Sequence, residues 1–145
     1  MSTGELLPLH CEITRDLGAL RTRVRDYAAD AGLSGTRLDD LIVAVNEAAA
    51  NVLEHGGGAG GVLARRDAEG VWVEVVDTAG TLTAEHLHRR PNPLGRRGYG
   101  LWLVRRLCDQ VLLDHPGGRS RLRLHMRSRP GPVRPDEPTS PNGSG

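Results

Sequence analysis

The chain of 145 residues is poor in aromatic side chains and has almost no net charge. It contains no Phe, two Trp and two Tyr, so Leu, Val and Ala must fill its interior. The formal charge of +1 gives no overall reason to expect a nucleic-acid-binding protein. No apolar run is long enough to span a bilayer, and the N-terminal residues lack the apolar region of a signal peptide. We therefore expect one soluble, cytoplasmic domain that is long enough to bury a core.

Cysteine is also scarce. Cys11 and Cys108 lie far apart in the sequence, without the short spacing of metal ligands. We predict that both are small buried thiols of a protein from a reducing compartment.

The spacing of apolar residues predicts helices that cover one face of a sheet. Helices are predicted at 14–32, 36–55 and 98–109, with at most one further turn at 84–88 inside the loop 79–97, and strands at 6–11, 60–66, 71–77, 111–115 and 120–127. This order indicates an α+β fold, a two-layer sandwich with helices on one face of a mostly antiparallel sheet. We predict a domain at 1–127 and, because 128–145 is rich in Pro, Gly and Ser, a disordered tail there.

Three polar residues recur four positions apart in the second predicted helix. They are Glu47, Asn51 and His55, and three glycines follow at 56–58. Since a helix turns by about 100° per residue, the three side chains share one face at the margin of the apolar stripe. Taken alone, Glu47 and Asn51 would be interpreted as solvated surface residues and His55 as a capping imidazole. Their equal spacing beside the glycines favours a functional stripe of carboxylate, amide and imidazole.

Asp77 ends a predicted strand in which Val71, Val73 and Val75 alternate with other residues, and it begins the sequence Asp-Thr-Ala-Gly. A carboxylate at a strand end can accept a hydrogen bond from the amino group of a base. Asp is also common before a turn, so both interpretations remain open for this residue alone.

Glycines recur at residues 95–101, Gly-Arg-Arg-Gly-Tyr-Gly-Leu, directly before the third predicted helix. Glycine lets the backbone approach a phosphate closely, and a helix N-terminus favours negative charge. The segment is not a P-loop, because the Gly-Lys-Ser/Thr ending is missing. Between Leu87 and Cys108 there are also six arginines and no acid, which suits an anionic ligand or simply a solvated face.

The three segments together resemble the GHKL ATPase/kinase superfamily, and within it the small anti-sigma-factor serine kinases. Residues 47–55 are similar to its asparagine box, 75–80 to its first glycine box and 98–104 to its second, and the likeness extends over roughly residues 6–127. The resemblance implies the Bergerat, or histidine-kinase-like ATPase, fold.

The resemblance also implies a role for each matching residue. Asn51 would coordinate a Mg²⁺ that bridges the phosphates of ATP, Glu47 would be the catalytic base for an attacking hydroxyl, and Asp77 would bind the adenine amino group. The remaining nucleotide-binding positions would be Gly80, Gly98, Tyr99, Gly100 and Leu101. The cofactors would be ATP and Mg²⁺. The partners would be a sigma factor and an antagonist protein phosphorylated on serine, with the kinase a homodimer that contacts neither nucleic acid nor membrane.

One position departs from the family pattern. The first glycine box has Gly two residues after its Asp, where this chain has Ala79, and Gly80 follows one place later. A methyl group there is expected to crowd the base or to oppose a positive φ. The alternative function is therefore a degenerate nucleotide- or partner-binding module without kinase activity. A sensor histidine kinase, a zinc hydrolase and a DNA-binding protein are less favoured.

Overall fold

The protein, described here as a computed structural model, has three main helices and five strands among residues 7–55, 59–88 and 100–129, the residues that the structure describes. Its elements in chain order are β1 (Leu9–Glu12), α1 (Leu17–Asp30), α2 (Gly35–His55), β2 (Gly60–Arg66), β3 (Gly70–Asp77), the short α3 (Ala84–His88), α4 (Gly100–Leu107), β4 (Gln110–Asp114) and β5 (Ser120–Arg127). The predicted elements are present in the predicted order, with small shifts at their ends.

The five strands form one antiparallel sheet in the order β1-β2-β3-β5-β4. Its core face is made by side chains two residues apart on each strand, because side chains alternate across a strand. Val75 of the central strand β3, for example, lies between Val62 of β2 and Leu122 of β5, and all three are buried. Asp77 continues this face to the end of β3.

The helices pack on the core face of the sheet, so the predicted two-layer α+β sandwich is confirmed. α2 contacts β3, β5, α1 and α4, and its buried residues recur at the spacing of one helical face: Leu38, Leu41, Ile42, Ala44, Val45, Ala48, Ala49 and Val52. Full burial of one such Leu, Ile or Val contributes roughly 1.5–3 kcal/mol. The packing therefore fixes which face of α2 remains free for ligands.

α1 begins and ends at the residues that its sequence favours. Asp16 is its N-cap and accepts a hydrogen bond from the backbone N–H of Ala19 at 3.0 Å, while the hydroxyl of Thr14 accepts one from the N–H of Asp16 at 3.1 Å. After Asp30 the chain turns at Gly32, whose φ of 111° is one that residues with a side chain rarely adopt.

α4 ends at Leu107, two residues before the predicted end, because Asp109 is held elsewhere. Its carboxylate accepts hydrogen bonds from the guanidinium of Arg37 on α2 and from the backbone N–H of Arg127 at 2.8 Å. Burial acts to raise the pKa of Asp109, but these two bonds outweigh it and hold the pKa below its usual value. We call this group of three residues, Arg37, Asp109 and Arg127, the Arg37 clasp. It connects the end of α4 to the start of α2 and to the end of β5.

The predictions for the first strand, the two cysteines and the C-terminal tail have different outcomes. β1 starts at Leu9, and the described residues Leu7 and Pro8 of the predicted strand lie outside it; Pro8 has no N–H for a sheet. Residue 6 lies outside the described residues. Cys11 is buried and Cys108 half-buried, and burial, with the charges of Asp109 and Asp40, raises the pKa of the Cys108 thiol to about 12. Most of the predicted tail, from residue 130 onward, lies outside the described residues.

None of the described helices combines the length and the apolar character that crossing a bilayer requires.

Candidate functional site

The stripe on α2 lies at the margin of the core. Glu47 and Asn51 are half-buried and His55 is exposed at the end of the helix. Within the described residues, neither Glu47 nor Asn51 has a hydrogen-bond or ion-pair partner for its side chain, whereas the adjacent Asn46 accepts a hydrogen bond from Arg21 at 2.8 Å. A half-buried carboxylate and a half-buried amide are therefore left available to a ligand on one face of α2.

Asp77 is buried, with only 4% of its surface exposed, at the end of the central strand. Each oxygen of its carboxylate accepts one hydrogen bond from the loop that follows: Oδ1 from the N–H of Ala79 at 3.0 Å, and Oδ2 from the hydroxyl of Thr81 at 3.2 Å. An ionised carboxylate has about four acceptor positions. Asp77 can therefore still accept hydrogen bonds from a ligand.

The turn after Asp77 depends on Gly80. Its φ is 70°, its N–H donates to the carbonyl of Asp77 at 3.2 Å, and a Cβ at this position would lie 1.9 Å from the carbonyl oxygen of Gly118. No non-glycine residue in the described part of the chain has a positive φ, and Ala79 is exposed. In this turn the positive φ lies at Gly80, so Ala79 is not required to adopt one. That the methyl of Ala79 crowds a bound base stays a prediction.

The segment beyond Gly80 is fixed to the start of β5. The hydroxyl of Ser120 accepts a hydrogen bond from the N–H of Leu82 at 3.0 Å and lies 3.3 Å from the carbonyl of Leu82 as a donor. Nε2 of His115 lies 2.7 Å from the same carbonyl. Ser120 is only 1% exposed and lies opposite Asp77 in the sheet register. These contacts hold the loop that carries Thr81.

The end of β3 and the end of α2 meet at the same edge of the molecule. The hydroxyl of Thr81 is 3.4 Å from the carbonyl oxygen of His55, in addition to its contact with Asp77. At 1.5 Å per residue, Asn51 and Glu47 lie about 6 and 12 Å from His55 along the axis of α2. An elongated ligand with one end at Asp77 would therefore pass Asn51 before it reaches Glu47.

Part of the predicted site lies outside the described residues. This applies to Gly98 and Tyr99 and to four of the six arginines, at 89, 90, 96 and 97. Gly100 is the first residue of α4, and Leu101 is buried, 5% exposed. Arg105 and Arg106 are exposed, and Arg106 lies over the ring of Trp102 at 5.1 Å. The roles given to these residues remain predictions.

The residues present fit a Mg²⁺ that is held mainly by a bound nucleotide. In the described ranges, no three His, Cys, Asp or Glu side chains are grouped as a protein-only metal site would need. Mg²⁺ takes oxygen ligands, keeps several waters and often uses one or two protein groups together with phosphates. The available amide oxygen of Asn51, one turn from a carboxylate, suits that mode of binding.

Sequence reasoning missed Thr81, Ser120 and His115. Each acts on the site through a contact with the loop after β3, and two of the three lie in the hairpin of β4 and β5, far from Asp77 in sequence. No local signal marks them, because a Ser at the start of a strand and a Thr after a glycine are ordinary residues beside turns.

Comparison with solved structures shows the fold. The crystal structure of the RsbU and RsbW domains of Rv1364c from Mycobacterium tuberculosis resembles the chain with a TM-score of 0.58 and 23% sequence identity, over 87% of this chain and 34% of that chain. The chain thus spans about a third of the length of that solved chain. No curated protein matches it.

The comparison with protein families covers most of the chain. The sequence profile of the family described as "Histidine kinase-like ATPase domain" matches residues 13–126, a range that contains Glu47, Asn51, Asp77 and the start of α4. The chain belongs to the histidine kinase-like ATPase family.

Proposed function

We propose that the protein is an ATP-dependent regulator of the anti-sigma-factor type, which transfers the γ-phosphate of ATP to a serine of an antagonist protein and sequesters a sigma factor. One observation carries the proposal. Asp77 is a buried carboxylate with free acceptor positions, and the loop that follows it contacts the end of α2. On that helix the half-buried side chains of Asn51 and Glu47 are left available to a ligand.

The adenine end of ATP is assigned to Asp77. Its carboxylate accepts a hydrogen bond from the amino group of the base, and a buried acceptor of this kind gives orientation and specificity to a pocket. Gly80 shapes the turn beside the base. Gly100 and Leu101, at the start of α4, hold the triphosphate, because the free N–H groups of a helix N-terminus favour anions; Gly98 and Tyr99, which precede them in the sequence, are assigned the same role.

The reacting end of ATP is assigned to α2. Asn51 would hold Mg²⁺ through its amide oxygen. A bound Mg²⁺ would neutralise negative charge on the phosphates. Glu47 lies one helical turn farther along and accepts the proton of the serine hydroxyl as it attacks the γ-phosphate. Phosphoryl transfer depends mainly on positioning and charge neutralisation, so two side chains on one rigid helix are a sufficient protein contribution.

Two further observations support the partner class. The motifs resemble those of the anti-sigma-factor serine kinases. The fold resembles that of the solved chain that contains the RsbU and RsbW domains of Rv1364c. A sigma factor and a serine-bearing antagonist are the proposed partners, and the kinase is proposed to act as a homodimer in the cytoplasm.

The alternative function is a partner-binding module that transfers no phosphate. Its support came from the altered first glycine box. Because Ala79 is exposed and Gly80 supplies the positive φ, that departure gives less reason to expect a defective site. The uncommitted Glu47 favours the enzyme.

The proposal is tested by titrating the protein with ATP, with and without Mg²⁺, in the wild type, Asn51→Ala and Asn46→Ala. We expect Mg²⁺ to strengthen ATP binding about tenfold in the wild type and in Asn46→Ala, because the side chain of Asn46 is hydrogen-bonded to Arg21 and is not part of the proposed site. Asn51→Ala should lose this dependence on Mg²⁺. Equal affinities in all conditions would contradict the role of Asn51, and no ATP binding by the wild type would reject the function.

A further inference from the structure

The hydroxyl of Thr81 lies between two acceptors that belong to different parts of the site. It is 3.2 Å from Oδ2 of Asp77, at the end of β3, and 3.4 Å from the carbonyl oxygen of His55, the last residue of α2. A hydroxyl has one proton, so it donates to only one of them at a time. The carboxylate is closer and charged, and hydrogen bonds to ionised acceptors are the stronger ones. Thr81 therefore donates to Asp77.

The position of this hydroxyl is set by the backbone on both sides of it. On one side Gly80 is packed against the carbonyl of Gly118, and on the other side both polar backbone atoms of Leu82 are bonded to Ser120. Thr81 itself is exposed, so it contributes little to the core. Its side chain is held at the site without being needed for packing.

We propose that Thr81 is a positioning residue for base recognition: its hydroxyl fixes the carboxylate of Asp77 in the orientation that accepts the amino group of adenine. The inference rests on the proposed function and adds to it a determinant of the base that is bound. With Ala79 holding Oδ1 and Thr81 holding Oδ2, the carboxylate is restrained at both oxygens. Without the hydroxyl, Oδ2 is released and the carboxylate is held at one oxygen alone.

A restrained carboxylate distinguishes bases in two ways. It accepts a hydrogen bond from the 6-amino group of adenine, and it repels the 6-oxo group of a base such as hypoxanthine, which presents an acceptor at that position. Specificity of this kind needs both the attraction and the repulsion to act at a fixed place. A carboxylate that turns away weakens the first and relieves the second.

The test compares ATP with inosine triphosphate, which carries an oxygen in place of the amino group. We measure both dissociation constants for the wild type, for Thr81→Val, which keeps the shape and removes the hydroxyl, and for Thr81→Ser, which keeps the hydroxyl. In Thr81→Val we expect ATP binding to weaken about tenfold, the equivalent of about 1.4 kcal/mol, and inosine triphosphate binding to stay the same or to become stronger. Thr81→Ser should retain the wild-type preference.

Each other result has a definite meaning. If Thr81→Val keeps the wild-type preference for ATP, or loses affinity for both nucleotides equally, the inference is overturned and the proposed function stands. If the wild type binds ATP no better than inosine triphosphate, the inference is overturned together with the role of Asp77 in base recognition, and the proposed phosphate transfer stands. If the wild type binds neither nucleotide, the proposed function is overturned as well. Circular dichroism and thermal unfolding establish that the variants are folded, and Thr81→Ala gives the same comparison should the valine variant not fold.

Discussion

The carbonyl oxygen of Gly118 occupies the place that a side chain at Gly80 would need. A Cβ on Gly80 would lie 1.9 Å from this oxygen, well inside any allowed contact. The turn after β3 and the turn before β5 thus touch backbone to backbone. Asp77 ends the strand before the first turn, and Ser120 begins the strand after the second. This contact therefore sets the spacing of the loop beside the candidate base-binding carboxylate.

We expect Gly80→Ala to destabilise the protein by more than about 2 kcal/mol. The left-handed φ alone costs an alanine roughly 1–2 kcal/mol, and the overlap with Gly118 forces the two turns apart. Urea unfolding measures the loss. Gly117→Ala is the matched control, because Gly117 has a similar φ of 62° but no atom lies within 4 Å of a Cβ added there. Its loss of stability should therefore come from the unfavourable φ alone. Equal losses in the two variants would contradict the close contact.

Ala79→Gly should change ATP affinity by less than about twofold. Ala79 is exposed and has no positive φ, so removing its methyl group relieves no strain in the turn. Isothermal titration of the two proteins with ATP and Mg²⁺ checks this. An increase of tenfold or more would mean that the methyl crowds the base.

Asp109→Asn should lower the free energy of unfolding by about 1–2 kcal/mol at neutral pH, because it removes the charge from the Arg37 clasp. The folded pKa of Asp109 lies below its unfolded value of about 3.9, so its contribution is present above about pH 4 and is lost as pH falls through the folded pKa. The difference between the variant and the wild type should shrink at more acidic pH, as followed by urea unfolding across the pH range.

The control for this clasp is Asp39→Asn. Asp39 pairs with Arg25 at 3.1 Å, but both side chains are largely exposed. Exposed pairs contribute little, so we expect a loss below about 0.5 kcal/mol. A loss as large as that of Asp109→Asn would mean that burial of the clasp has no special effect.

Glu47→Gln should abolish phosphate transfer to the antagonist and leave ATP binding within about threefold of the wild type. The amide keeps the size of the side chain but cannot accept the proton of the serine hydroxyl. Transfer of labelled phosphate measures the rate, and Glu54→Gln, an exposed residue two turns along α2, is the control. Unchanged transfer in Glu47→Gln would remove this residue from the reaction.

Both thiols should react slowly with a disulfide reagent at pH 8 in the folded protein and quickly in denaturant. Burial raises the pKa of Cys11 and Cys108, the latter to about 12, and the reactive form is the thiolate. Absorbance of the released thiol follows the reaction, and Cys108→Ser reports on Cys11 alone. A fast phase in the native protein would contradict the burial of the corresponding thiol.

The elements of the fold could be predicted because their signals are local. The buried side of α2 follows a three- and four-residue spacing, and the alternation of Val71, Val73 and Val75 identifies the central strand. The ends of elements were less accurate where distant residues decide them. α4 stops at Leu107 because Asp109 bonds to Arg37 and Arg127, and no pattern within the helix contains that information.

The candidate site divides in the same way. The stripe on α2 and the carboxylate at the end of β3 were predicted from spacing and from the resemblance of their motifs. The structure brings the last residue of the stripe, His55, to the loop that follows Asp77. The contacts that hold Asp77 were not predicted, because the hydroxyl of Thr81 and the anchor of Leu82 at Ser120 depend on where two turns meet in space.

The two tryptophans of the chain lie in different layers of the sandwich. Trp72 belongs to the central strand, and the centroid of its ring lies 4.6 Å from that of His125. Trp102 belongs to α4 and lies within the residues that resemble the second glycine box. The molecule thus carries two intrinsic fluorophores with separate surroundings. A variant that retains only Trp102 would give an optical signal for events at the proposed nucleotide-binding end of α4, and one that retains only Trp72 would report the unfolding of the sheet.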